Sequence, residues 1–253
     1  IIILEKEAFV GEHSSSRNSG VLHAGLYYQT GSHKHLMCIE GRELWNEIAR
    51  DLKINVNICG KYLIAVDEND DQQFNQMKKQ AEANGVALEE VSAVDRLELS
   101  SIISFRSILF SPNTAVIDLA QAIKKLEMYL ESKGVLILKK NGLQSVQINN
   151  SGQFLIQTTQ NLILAERLIN VAGLGAVAIR AMLGLYDIEA KYVKGNYLKL
   201  NHEFYHKKLL YPVPEKELKG LGVHTTFDIE GNIRFGPNTE DASSVNYQMN
   251  LNV

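Results

Sequence analysis

Up to about residue 183 the chain alternates short β-branched runs with amphipathic helical stretches; from 188 to 235 the helical pattern stops and strand-like pieces follow one another. That order restricts the fold to α/β units interleaved with a sheet-based second domain, a mixed α/β (α+β) class. IIIL (1–4) is a continuous apolar run and predicts a buried parallel strand. Residues 32–52 predict a helix with Leu36, Ile39, Leu44 and Ile48 near one face and Ser32 as its cap. GKYLIAV (60–66) predicts a strand, 70–86 a helix stopped at Gly85, 104–118 a strand and a Pro-Asn turn, and 119–135 a helix stopped at Gly134. VLILKK, SVQINN and FLIQTT are three strands, the last two joined at Ser151 and Gly152. RLINVAGLGAVAIRAML (167–183) predicts a buried strand, a glycine turn and a helix, and the β-rich remainder contains YPVP, GLGVHTTFDI and GNIRFGP. The expected division joins 1–66 to 118–185 in one discontinuous domain and 67–117 to 186–253 in the other.

The bulk numbers narrow the function classes. With 253 residues, 45% of them hydrophobic, the chain can bury a substantial core. Its 26 basic and 29 acidic residues give a net charge of −3 and no basic stripe, so nucleic acid is not an expected partner. No apolar stretch approaches the roughly 18 residues that span a bilayer. No secretory signal is visible, and a targeting segment upstream of Ile1 would not be seen. Cys38 and Cys59 have neither redox CxxC nor metal-ligand spacing, so no metal site is expected and a reducing, cytoplasmic setting is the default.

Three segments carry chemistry. Glu5 follows IIIL directly, and an acid at the end of a buried parallel strand can accept hydrogen bonds from both hydroxyls of a dinucleotide ribose. The same acid could equally be an ordinary solvated one in EKE. RLINVAGLGA (167–176) runs from a strand into a glycine turn, a geometry that brings backbone close to a cofactor or serves close packing. HSSSRNSGVLHAG (13–25) concentrates Ser14, Ser15, Ser16, Arg17 and Asn18 as donors for phosphates and ring carbonyls, with Gly20 and Gly25 permitting close backbone approach. His23 sits between Leu22 and Ala24, an apolar setting able to shift its pKa; a polar loop with a structural histidine is the competing reading.

LEKE, HSSSRNSGVLHAGLYY, GSHKHLMCIEG, CGKYLIAV, SPNTAVID, INVAGLGA, KGNYLKL, LLYPVP and LGVHTTFDIEGNIRFGPN follow one another in an order that resembles the L-2-hydroxyglutarate oxidase/dehydrogenase family, FAD enzymes of the D-amino-acid-oxidase-like class. The resemblance implies a Rossmann-like FAD-binding domain interleaved with a mixed-sheet substrate domain. It implies FAD as cofactor, a small hydroxy acid as substrate, and oxygen or a quinone as electron acceptor, the choice left open. It further implies that Glu5 holds the adenosine ribose with Lys6 beside it, and that Ser14, Arg17, Asn18, Ser19 and Gly20 line the pyrophosphate, ribityl chain and flavin. Leu143 matches the strand position whose backbone meets adenine, and Ala172 and Gly173 lie under the cofactor. Asn196, Tyr197, Tyr211 and Thr226 belong to the substrate side, and His23 and His224 are the candidate proton acceptors, His23 preferred. The glycine-rich phosphate loop expected before IIILEKE and the family's C-terminal portion lie outside the sequence, which therefore reads either as a fragment of a longer protein, whose parent could associate with the inner face of a membrane, or as a truncated gene product. Oxidation of an amine or of glycerol phosphate, or a non-catalytic remnant, are the alternatives.

Overall fold

The computed structural model describes residues 1–202, 206–213 and 222–249, in two compact units. One comprises Ile1–Asn18, Leu119–Tyr192 and Asp241–Tyr247; the other comprises Ser19–Asp118, Val193–Glu240 and Gln248–Val253. The last proline of YPVP, Pro214, the first two residues of GLGVHTTFDI, 220–221, and the C-terminal 250–253 lie outside the described residues.

In the first unit the Ile2–Leu4 strand pairs in parallel with Leu136–Leu138, in the register Ile2 to Leu136 and Leu4 to Leu138. The pair is only half-buried, so the expected parallel strand is present without the full burial that its composition suggested. The Leu119–Ser132 helix precedes the second strand and ends one residue before Lys133 and the Gly134 stop. An antiparallel meander follows: Leu143–Ile148, Phe154–Thr158 and Leu162–Ala165. Its first turn is held by Asn149, whose Oδ1 accepts from the backbone N–H groups of Ser151 and Gln153 at 2.9 Å each. Leu162–Ala165 was not expected. The strand expected over 167–171 does not form, and Ile169 and Val171 are 79% and 83% exposed. An apolar run becomes a strand only when a neighbour takes its backbone hydrogen bonds, and no described strand pairs with this one. The chain goes instead into a 3₁₀ turn at Gly173–Gly175 and the Ala176–Met182 helix.

The second unit is built around the Lys61–Ala65 strand, buried along its whole length. It lies between Leu209–Pro212, to which it is parallel, and Ser107–Ser111, to which it is antiparallel; Glu89–Glu90 closes the far edge. Alternate residues serve opposite cores. Leu63 and Ala65 join Ala24, Leu26, Phe74, Met77, Leu209 and Tyr211, whereas Tyr62 and Ile64 join Val91, Leu99, Ile108 and Leu210. Two three-stranded sheets complete the unit, the second apart from its end residues Tyr192, Asp241 and Ala242: Val21–Leu22, Ala115–Ile117 and Val56–Asn57; and Tyr192–Lys199, Ile233–Ala242 and His224–Phe227.

Two expectations change here. Residues 19–66 belong with the second unit, because Val21–Leu22 pairs with Ala115–Ile117 and Lys61–Ala65 pairs with Ser107–Ser111 and Leu209–Pro212. The His33–Leu52 helix, capped by the Ser32 hydroxyl as expected, buries His35 and Ala49, with Leu36 and Leu44 exposed. Its inward stripe is rotated from the expected one because His35 turns inward to accept a hydrogen bond from the Gly31 N–H at 3.1 Å.

Candidate functional site

In the first unit the Ile2–Leu4 strand delivers Glu5 at its C-terminal end, held by backbone hydrogen bonds from Glu5 N–H to Leu138 and from Asn141 N–H to Glu5. The Glu5 carboxylate accepts from the Glu7 N–H at 2.9 Å. Lys6 packs on Gly142, where an added Cβ would come within 3.1 Å of the Lys6 Cβ. Glu5 and Lys6 therefore stand beside Leu143, the first residue of the next strand. Glu7 is not a free solvated acid: its carboxylate meets His13 Nε2 at 2.9 Å and Lys6 Nζ at 3.3 Å, and these partners hold its pKa below the usual value. Residues 14–18 form an exposed loop. Asn18 donates to the carbonyls of Ser14 and Ser15, and the Arg17 guanidinium donates to the Glu12 carbonyl while lying 4.0 Å from the Tyr247 ring centre. Ala172 and Gly173 are exposed, and Gly173, at φ +53°, has only open space where a side chain would stand.

In the second unit a different set converges. Gly25, at φ +89° and packed so that a Cβ would lie 3.0 Å from Ile39, ends the tight passage that carries His23. Cys38 Sγ donates to the His23 carbonyl at 3.2 Å and pins it to the His33–Leu52 helix. His23 Nδ1 is buried without a hydrogen-bond partner. Desolvation, reinforced by the charges of Lys61, His224 and Lys34, holds the imidazole down to about 3. His224 stacks on Tyr211 with ring centres 3.9 Å apart, and Tyr197 meets it edge-on at 6.2 Å. The Gly222 carbonyl, 2.8 Å from His224 Nδ1, can only accept, so the proton sits on Nδ1 and Nε2 is left as the basic nitrogen. Burial lowers His224 to about 4. The Tyr211 hydroxyl is buried and unpartnered, and burial raises its pKa.

Not every expected residue joins this cluster with a free group. Asn196 donates to Glu240, which also pairs with Lys194 at 2.7 Å. The Thr226 hydroxyl donates to the Ser19 carbonyl, and the Gly20 carbonyl receives the Ile117 N–H; these contacts tie the start of the second unit to its sheets. Two residues missed from sequence stand in the middle. Lys61, 1% exposed, has its ammonium 4.6 Å from the ring centres of both Tyr27 and Tyr211. The Tyr27 hydroxyl is a further buried, unpartnered group. The signal was present in CGKYLIAV, where a lysine occupies the inward position that Leu63 and Ala65 share.

Residues 1–251 match the family model described as FAD dependent oxidoreductase. The chain belongs to that family. Its members' cofactor is FAD, and the donor set in the first unit suits such a group: a carboxylate at a parallel-strand end, hydroxyls and a guanidinium in the loop after it, and an open, positive-φ glycine. Among curated relatives, the mitochondrial L-2-hydroxyglutarate dehydrogenase of Caenorhabditis elegans is 32% identical over 94% of this chain, and the L-2-hydroxyglutarate dehydrogenase of Escherichia coli K12 is 28% identical over the same share. The chain spans 57% of the length of either relative. Among solved structures, an FAD-bound L-α-glycerophosphate oxidase from Mycoplasma pneumoniae matches 97% of the chain, and 66% of its own, with a TM-score of 0.86 at 21% identity. Glycine oxidase from Geobacillus kaustophilus matches 96%, and 65% of its own, with a TM-score of 0.81 at 17% identity. These two likenesses establish the mixed α/β fold of FAD-dependent oxidases. No helix among the described residues is long and apolar enough to cross a membrane, and no cluster of three metal-ligating side chains occurs among them.

Proposed function

We propose that the protein oxidises a 2-hydroxy acid, L-2-hydroxyglutarate, to the 2-oxo acid, with oxygen or a quinone as the final electron acceptor. The observation that carries the chemistry is the buried, unpartnered Nδ1 of a neutral His23 beside His224 and Tyr211. The identity of the substrate is supported by the curated relatives. When bound, FAD supplies the hydride acceptor for the carbon that bears the hydroxyl. His23 takes the hydroxyl proton, and desolvation keeps its imidazole neutral over the physiological range. His224 Nε2 is the second basic nitrogen of the cluster, and Tyr197, Tyr211 and the segments of Asn196 and Thr226 frame the substrate. Glu5 and Lys6 hold the adenosine ribose, Ser14, Arg17, Asn18, Ser19 and Gly20 serve the pyrophosphate, ribityl chain and flavin, Leu143 meets adenine through its backbone, and Ala172 with Gly173 lies under the cofactor. The free thiols of Cys38 and Cys59 suit a reducing compartment, in keeping with a cytoplasmic location at or near the inner face of a membrane.

The test is anaerobic bleaching of the FAD-loaded protein. L-2-hydroxyglutarate should reduce the flavin, and the D enantiomer, glycerol 3-phosphate and glycine should not. Reduction by glycerol phosphate or by an amine in preference to the hydroxy acid would overturn the assignment.

A further inference from the structure

Lys61 is a buried cation that lacks a counter-ion. No carboxylate pairs with it and no hydrogen bond reaches its ammonium among the described residues. The groups that face it are the Tyr27 ring and His23 from the 23–27 segment, Cys38 from the His33–Leu52 helix, Tyr211 from the Leu209–Pro212 strand and His224 from the His224–Phe227 strand; none is an acid that would be ionised at neutral pH. Around it, His23 Nδ1, Tyr27 Oη and Tyr211 Oη are all buried without partners. Buried charges are paired in folded proteins because an unpaired one costs several kcal/mol, and orphaned polar atoms are rare enough that three of them around one such charge call for an explanation. A lysine that served only packing would be replaced at lower cost by methionine, so its place opposite Leu209 and Ser111 in the most buried strand argues for a ligand that completes it.

We infer that Lys61, caged between Tyr27 and Tyr211, is the cationic anchor for a carboxylate of the substrate. This rests on the hydroxy-acid reading above. The ammonium supplies the charge, and the Tyr27 and Tyr211 hydroxyls are the donors at hand for the carboxylate oxygens. The carboxylate in turn supplies the missing counter-charge. Desolvation lowers the empty site's ammonium to about 7, so an arriving anion draws a proton onto Lys61 whenever the solution is more alkaline than that.

The experiment is calorimetric titration of the FAD-loaded protein with glutarate, glycerol 3-phosphate and the neutral diamide glutaramide, at pH 6.5 and 8.5, in buffers of different ionisation enthalpy. Glutarate should bind with uptake of a proton at pH 8.5 and with little uptake at pH 6.5. Lys61→Met should weaken glutarate by about 10- to 100-fold and leave glutaramide unaltered. The same variant should melt at a higher temperature than the wild type, the reverse of what a structural lysine would give. If L-2-hydroxyglutarate reduces the flavin but Lys61→Met binds glutarate as tightly as the wild type, the anchor is refuted and the hydroxy-acid reading stands. Absence of proton uptake by the wild type at pH 8.5 refutes the anchor without recourse to any variant. If glycerol 3-phosphate binds through Lys61 and glutarate does not, the hydroxy-acid reading falls, and the carboxylate assignment with it.

Discussion

His23 and His224 differ in what their nitrogens are committed to. His224 spends Nδ1 on the Gly222 carbonyl, whereas His23 keeps Nδ1 free and is fixed through its backbone by Cys38. A residue whose position is set by its main chain can present its ring to a substrate without breaking a bond first. His23→Asn should therefore lower the rate of flavin reduction by about 100- to 10,000-fold with FAD still bound, the range for loss of a general base. His224→Asn should cost less. Single-turnover stopped-flow decides this, and a near-normal rate in His23→Asn would move the role to His224. Because His23 sits at about 3 and His224 at about 4, the wild-type rate at low substrate should show no acid limb between pH 7 and 5. A limb near pH 6.5 would mean that the base is a solvated histidine elsewhere. The acids of the first unit are told apart in the same way. Glu7 is engaged by His13 and Lys6, and Glu5 stands at the strand end, so Glu5→Gln should weaken FAD by about tenfold or more and Glu7→Gln should leave it nearly unchanged. Equal losses in flavin-fluorescence titrations would place the ribose acceptor elsewhere.

The stretch that follows His23 is clamped by a side chain at the end of a helix. Asn84 terminates Asp71–Ala83, and its Nδ2 donates to the carbonyls of Gly25 and Tyr28 at 2.9 Å and of Leu26 at 3.4 Å. Its Oδ1 receives Thr30 and Gln80. Asn84→Ala would strand buried carbonyls, each costing about 1–3 kcal/mol, and should lower the melting temperature and speed amide exchange over residues 25–31. Unchanged exchange there would show that the His35 contacts suffice. This clamp was illegible in the sequence, since EANG reads only as a helix end, while the helix itself was legible because 3.6-residue periodicity and Gly85 bound it. The same contrast runs through the chain. Strands whose partners are local, such as 143–148 with 154–158, follow from alternation and a turn, but NLILA was missed as a third strand. The apolar INVAG run was overread, because whether such a run becomes a strand is decided by a neighbour distant in sequence. For the candidate site, motif order located His23, His224 and Tyr211, and only three-dimensional packing revealed that Lys61 and Tyr27 converge on them.

At the scale of the whole molecule, the large downward shifts of basic groups all fall in one of the two compact units, which gives that unit a characteristic response to pH. The folded forms of His23 and His224 titrate at about 3 and about 4 and the unfolded forms near 6.5, so between those limits the unfolded chain binds more protons. Stability must then rise with pH across that window and fall on acidification, at up to about 1.4 kcal/mol per pH unit for each group. His206, also lowered chiefly by burial, acts in the same direction. Lys61 produces a second rise: its folded form titrates at about 7 and its unfolded form at 10.5, so stability climbs with pH between those values, and below 7 the cost of its buried charge is carried in full. The single tryptophan, Trp45, lies in the His33–Leu52 helix of this same unit and reports its unfolding. Urea unfolding followed by Trp45 fluorescence should therefore give a midpoint that increases from pH 4.5 to 6.5 and again from 7 to 8.5, short of the range in which Cys59 and the buried tyrosines, whose pKa values burial raises, act in the opposite direction. In Lys61→Met the acid rise should persist, the alkaline rise should vanish, and the midpoint at pH 7 should exceed that of the wild type. An alkaline slope identical in wild type and variant would show that Lys61 is not held as an uncompensated buried amine, and would remove the physical basis for giving it an anionic ligand.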